Sequence, residues 1–123
     1  MNSVEMSTIA RGAYAATDSR TAVVATSRDE YRRLWQQLIG EGEVAEADFT
    51  RGVVVFLLAG SRSSGGWSIE PQAVTVEGGD TAVIVAKIKG PPPGSMVTQA
   101  LTSPYAVVLV RDPKARKVRW TSE

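Results

Sequence analysis

Apolar positions set the elements of this chain before any motif is considered. From Tyr31 they recur as Leu34, Trp35, Leu38 and Ile39, at i, i+3, i+4, i+7 and i+8, which is one stripe of an amphipathic helix. Arg32, Arg33, Gln36 and Gln37 fall on the other side. Ser27-Arg28-Asp29-Glu30 has capping-box form, with a hydroxyl for an orphan N–H and Glu30 reaching back to the cap, and Gly40 is a natural stop. Elsewhere the pattern belongs to strands. Val53 to Ala59 is apolar without a break, as expected of a central strand covered on both faces, and Tyr105 to Val110 reads the same way. Ala82, Ile84, Ala86 and Ile88 fall on one face of a further strand, with Lys87 and Lys89 on the other.

The remaining strands follow from turns and breaks. Ser7–Ala16 and Arg20–Thr26 are two β candidates separated by the turn Thr17-Asp18-Ser19. Between Trp67 and Val76 the apolar parity changes around Pro71, which predicts a bulge or bend on an edge or at a corner. Glu77-Gly78-Gly79-Asp80 is a hairpin turn. Asp112-Pro113-Lys114-Ala115 turns the chain into Lys117–Thr121, with Val118 and Trp120 inward, as a C-terminal hairpin. The expectation is a single α+β domain over 1–123, with N-terminal strands and a helix in 1–40 and a β-rich region in 48–122. Its architecture is a mostly antiparallel sheet, a partly rolled barrel or a sandwich, of about seven strands mostly joined by hairpins, with the helix packed on it.

Composition narrows the chemistry. The 123 residues contain no Cys and no His, which removes disulfides, thiolate and imidazole metal sites, cysteine nucleophiles and a Ser-His-Asp triad. Fourteen basic and thirteen acidic residues nearly cancel, so the net field attracts neither nucleic acid nor membrane. No apolar run is long enough to span a bilayer, and Met1–Ala16 is not a signal peptide. Ser63, Ser64 and Ser103 lack a Ser-x-x-Lys partner. Glu41, Glu43, Glu46 and Asp48 lack the alternating ligand pattern of a calcium loop, which leaves a solvated acidic connection. The expectation is a non-enzyme with no cofactor and no metal.

Three loops carry the remaining signal. Gly60–Trp67 is Gly/Ser-rich, but Gly66 stands where a phosphate loop needs Lys and Trp67 where it needs Ser or Thr. It reads instead as an interstrand turn or a partner-binding loop with Trp67 as anchor. Gly90-Pro91-Pro92-Pro93-Gly94 is a stiff, extended segment, a rigid crossover or a preorganised surface. Ser103-Pro104-Tyr105 opens the next strand, with Tyr105 either in the core or presented beside that loop. A separate basic group, Arg111, Lys114, Arg116, Lys117 and Arg119 with Trp120 nearby, suits single-stranded nucleic acid or another polyanion, or else a charged edge that resists aggregation. A purely structural domain is the third reading.

Asp48-Phe49, Gly60, Gly65-Gly66-Trp67-Ser68-Ile69, Pro93-Gly94 and the run Val97 to Tyr105 resemble the signature of the PrcB-like C-terminal domain family, which is named for a component of a protease complex. The resemblance spans Ser27 to Val110, with Ser64 where Thr is usual and Trp67 where Tyr is usual. It implies a non-catalytic accessory domain that supports the assembly or stability of a bacterial surface or secreted protease, or inhibits one. Its binding residues would be Ser64, Gly65, Gly66, Trp67, Pro93, Gly94, Ser103, Pro104 and Tyr105, on a rim made of loops 61–67, 90–96 and 103–105. The same resemblance implies an extracytoplasmic location if an upstream leader was removed. Ser64-Gly65, Gly90–Gly94 and Ser103-Pro104-Tyr105 also resemble, at loop level, the inhibitory loops of chagasin-type protease inhibitors. Nothing in the sequence specifies an oligomeric state.

Overall fold

The structure, a computed structural model, describes residues 2–40 and 43–121. The strands are β1 (Asn2–Ser3), β2 (Met6–Gly12), β3 (Arg20–Ala25), β4 (Val53–Ala59), β5 (Ser68–Glu77), β6 (Thr81–Lys89), β7 (Tyr105–Val110) and β8 (Lys117–Thr121). Helix α1 (Arg28–Leu38) lies between β3 and β4. One four-stranded sheet has the order β1-β5-β6-β8 and the other β2-β7-β4-β3. All pairings are antiparallel except β6 with β8. The fold is a sandwich with a helix layer on one outer face, not a closed barrel.

The unbroken apolar run of β4 explains that layering. Val53, Val55, Leu57 and Ala59 point between the sheets, against Ile69, Val74, Ile84 and Val108. Val54, Phe56 and Leu58 point the other way, onto Tyr31 and Trp35 of the helix. A strand covered by a sheet on one face and a helix on the other has no polar side, so alternation disappears. The β5 irregularity falls where the parity change put it, as a register shift between Pro71 and Ala73 that lets Ile69 and Val74 both reach the core. Pairing with β1 reaches only Thr75 and Val76, so Pro71 sits on an open edge where its missing N–H costs no ladder bond.

The helix starts at the expected cap, with the Glu30 N–H donating to Ser27 Oγ at 3.2 Å. The return bond differs from a capping box: Glu30 Oε1 accepts from Thr26 N and Thr26 Oγ1, one residue before the cap. Gly40 takes a positive φ of 125° just past the helix, as a stop glycine should.

The connections depart from a chain of hairpins. The β5–β6 turn is one, with Glu77 already paired to Thr81 across Gly78 and Gly79 at φ 63° and 81°. By contrast, β2 ends at Gly12, short of Ala16, and β2 and β3 lie at opposite edges of their sheet. The expected C-terminal hairpin is also absent. Segment 111–116 carries the chain from β7 in one sheet to β8 in the other, where β8 runs parallel to β6. Short-range turn chemistry announces a change of direction but not which sheet the next strand joins. Val118 and Trp120 do face the core, and the Trp120 indole donates to Ala86 O at 2.9 Å.

Candidate functional site

Strand register places three connections at one end of the sandwich. Arg20 pairs with Ala59, Leu58 with Tyr105, Gly12 with Tyr105, and Ser68 with Lys89. Segments 13–19, 60–67 and 90–104 therefore emerge together, and backbone bonds join them. Arg62 and Thr102 exchange N–H···O bonds of 2.8 and 2.9 Å, and Gly65 N donates to Thr98 O at 2.8 Å. Ser103 N donates to Ala13 O and Ala15 N to Ser103 O, both at 2.8 Å.

Side chains complete the arrangement. Thr102 Oγ1 donates to Ser64 O at 2.7 Å, tying the 60–67 loop to the 90–104 segment. The half-buried Trp67 ring lies so close to Gly90 that a Cβ there would meet it at 2.9 Å. Arg62 covers that ring, its Cζ 4.7 Å from the centroid, within cation–π range. Gly66 has φ 85°, and a side chain there would collide with Pro91 and Val97, so a glycine is required for the close approach of the two loops. The proposed triplet of loops is thus one contiguous structure.

Its members play unequal parts. Gly66, Pro93 and Gly94 are exposed; Ser64, Gly65 and Trp67 are half-buried. Tyr105 is half-buried too, its ring packed on Gly12. Ser103 and Pro104 are buried, with Ser103 Oγ donating to Thr17 O and Pro104 O accepting from Ala59 N at 3.0 Å. These two are buried and position the rim from beneath.

Sequence reading placed loop 90–96 on the rim but singled out none of the side chains that project most. Tyr14, Met96 and Leu101 are the exposed large hydrophobics of the described residues, at 66%, 99% and 76% exposure. All three lie on the connections of this end. A groove of about 330 Å³ runs between Tyr14 and Leu101, floored by Thr102 and Ser103. A second, of about 280 Å³, is lined by Arg11, Gly12, Trp67 and Tyr105. The available signal was the isolated apolar side chain in an otherwise polar loop, which core-seeking periodicity passes over.

The basic segment lies at the opposite end, where Arg116 N and Lys117 N both donate to Asp80 O. Arg111 faces Glu5 at 3.6 Å, Lys117 faces Asp80 at 3.9 Å, and Arg119 meets Glu77 at 2.9 Å. Arg116 donates to Pro113 O, while Lys114 is exposed. Trp120, the aromatic expected to stack on a base, spends its N–H on Ala86 and carries Arg20 over its face at 4.6 Å. Nearby carboxylates thus offset most of the local positive field.

Among the described residues no cluster of ligating side chains suits a metal ion, and Glu41 lies outside them. Asp48 is engaged locally. Hydrogen bonds from Thr50 Oγ1 and Thr50 N, then the charges of Arg51 and Arg111, hold its carboxyl below the ordinary range. No helix among the described residues is long and apolar enough to cross a membrane.

Residues 53–111 match the PrcB C-terminal family. The match covers β4 to β7, including loops 60–67 and 90–104, and leaves α1, β2, β3 and β8 outside. It is narrower than the resemblance from Ser27 onward. No curated protein and no solved structure matches the chain.

Proposed function

We propose that the protein is a non-catalytic accessory domain that docks on a protein partner through the loop end of the sandwich. The partner class suggested by the PrcB C-terminal match is an extracytoplasmic protease, whose assembly or stability the domain supports. The observation that carries the reading is the placement of Tyr14, Met96 and Leu101 on the tied loops of one end, while no other large hydrophobic among the described residues is exposed. Exposed apolar groups gathered at one end, two of them on one groove, are what a protein-binding surface presents. Gly66 and the Pro91–Pro93 run keep the loops stiff, which reduces the ordering entropy lost on binding.

A photo-reactive residue in place of Leu101, with Lys114 replaced as the control at the far end, tests this in the source cells. The expected result is one discrete adduct containing a protease from position 101 and none from 114. Equal labelling from both ends, or none, would overturn the rim. An adduct with a protein other than a protease would retain the rim and overturn the protease assignment.

A further inference from the structure

Arg51, Lys89, Arg111, Lys117 and Arg119 each face a carboxylate at 3.9 Å or less. Arg11 and Arg62 face none among the described residues, and both lie at one groove. Arg11 lines it, and Arg62 covers the ring of Trp67, which lines it too. The groove, of about 280 Å³, opens where the β2 edge of one sheet meets the start of β5 in the other, and no acidic side chain lines it.

Strand register accounts for Arg11. It stands opposite Ala106, which turns to the core between the sheets, so Arg11 shares that face, and at the sheet edge it stays exposed. Gly12 beside it has no Cβ, which leaves room for the Tyr105 ring against the strand. Arg62 is fixed by two backbone hydrogen bonds exchanged with Thr102, and its Cζ lies 4.7 Å from the Trp67 centroid. Its guanidinium makes one long bond, 3.4 Å to Ala59 O, and its buried Nε has no acceptor among the described residues. A tryptophan face attracts a cation without neutralising it. Glu70, two residues on from Ser68, spends its charge on Lys89 at 3.5 Å. The positive field of the groove is left without a counter-charge.

We propose that this groove receives an acidic segment of the partner protein, a Glu or Asp side chain reaching the two guanidinium groups while an apolar neighbour packs on Trp67 and Tyr105. The proposal rests on the reading that the loop end is the docking surface, and it names the chemistry of what docks there. Guanidinium groups pair with carboxylates through strong, directed N–H···O bonds. Arg11 sits in β2 and Arg62 in its ladder with Thr102, so both are carried on ordered backbone and less is lost in ordering them. Arginine beside tryptophan is also the pairing of residue types enriched at interface hot spots. The basic segment at the far end competes poorly for the same ligand, because Arg111, Lys117 and Arg119 already face Glu5, Asp80 and Glu77.

A labelled synthetic peptide alternating Glu and Leu, and its counterpart with Gln for Glu, probe the whole chain directly. The Glu peptide should bind about ten-fold more tightly than the Gln peptide, and added salt should narrow the gap. Its binding should move the indole N–H resonance of Trp67 and leave that of Trp120 in place. Arg11→Gln should remove most of the preference, while Arg33→Gln, at an exposed position of α1, should keep it. Equal behaviour of the two peptides, absence of binding included, or resonance shifts confined to 111–119, would overturn the proposal. In the source cells, Arg11→Glu should abolish the photo-adduct from position 101. An adduct that persists undiminished in Arg11→Glu would overturn the acidic contact and leave the rim standing, whereas no adduct from the parent would overturn the rim itself. If Arg11→Glu unfolds the chain, the peptide pair on the parent still decides.

Discussion

The phenol of Tyr31 sits among Trp35, Phe49 and Phe56, with centroid separations of 5.8, 5.4 and 5.8 Å, and its hydroxyl donates to Ala45 O at 2.8 Å. Burial first, and then the charge of Glu46, push its pKa from 10.0 up to about 12. The folded state therefore holds this proton more tightly than the unfolded chain. The stabilisation is complete below pH 10 and declines as the pH rises towards about 12. Denaturant midpoints measured across that range should fall for the parent, and Tyr31→Phe should flatten the fall. At lower pH the same variant should lose ~1 kcal/mol, the net worth of one part-buried hydrogen bond. A second residue tests the rim's internal tie. Thr102→Val keeps the shape of a buried side chain but leaves Ser64 O without its donor, which should cost about 1–3 kcal/mol in chemical denaturation.

Among the elements, α1 and β4 were legible from the chain because each states its environment locally. The helix stripe names its buried face and Ser27 its cap. The uninterrupted Val53–Ala59 run requires cover on both sides, and the helix and the second sheet supply it. What the pattern omits is pairing: nothing in Lys117–Thr121 says that it will run parallel to β6 rather than fold back on β7. The rim divides along the same line. Gly66 and Trp67 were visible because a Gly-Gly pair leading straight into a tryptophan stands out in a polar loop. Tyr14 and Leu101 were not, because only the Ala13–Ser103 and Arg62–Thr102 ladders bring them to one groove. The cap can be tested alone. Ser27→Ala should destabilise by ~1 kcal/mol, read as a lower denaturation midpoint with an unchanged slope.

On the scale of the whole molecule, the family match and the folding unit do not coincide. Residues 53–111 supply two adjacent strands to each sheet: β4 and β7 to one, β5 and β6 to the other. Those strands bring the inter-sheet core nearly complete. They also bring Val54, Phe56, Leu58, Val107 and Leu109, whose face is covered by Tyr31, Trp35 and Ala25 from outside the match. Excising 53–111 uncovers that face and opens β4 and β7 along the edges now occupied by β3 and β2. At about 25 cal/mol per Å² of apolar surface, exposing several large side chains removes a stabilisation comparable with the entire stability of a small domain. The isolated segment should therefore show no cooperative thermal transition, bind a hydrophobic dye and associate through its freed edges. The chain over 2–121 should melt in one step. A sharp transition from the excised segment would mean that the inter-sheet core suffices and that the helix layer is an addition to the fold. Trp35→Ala in the full chain separates the two cases quantitatively. A loss of about 3–5 kcal/mol is expected if the helix layer belongs to the same cooperative unit. A small loss confined to helix fraying would show that the sandwich stands without it.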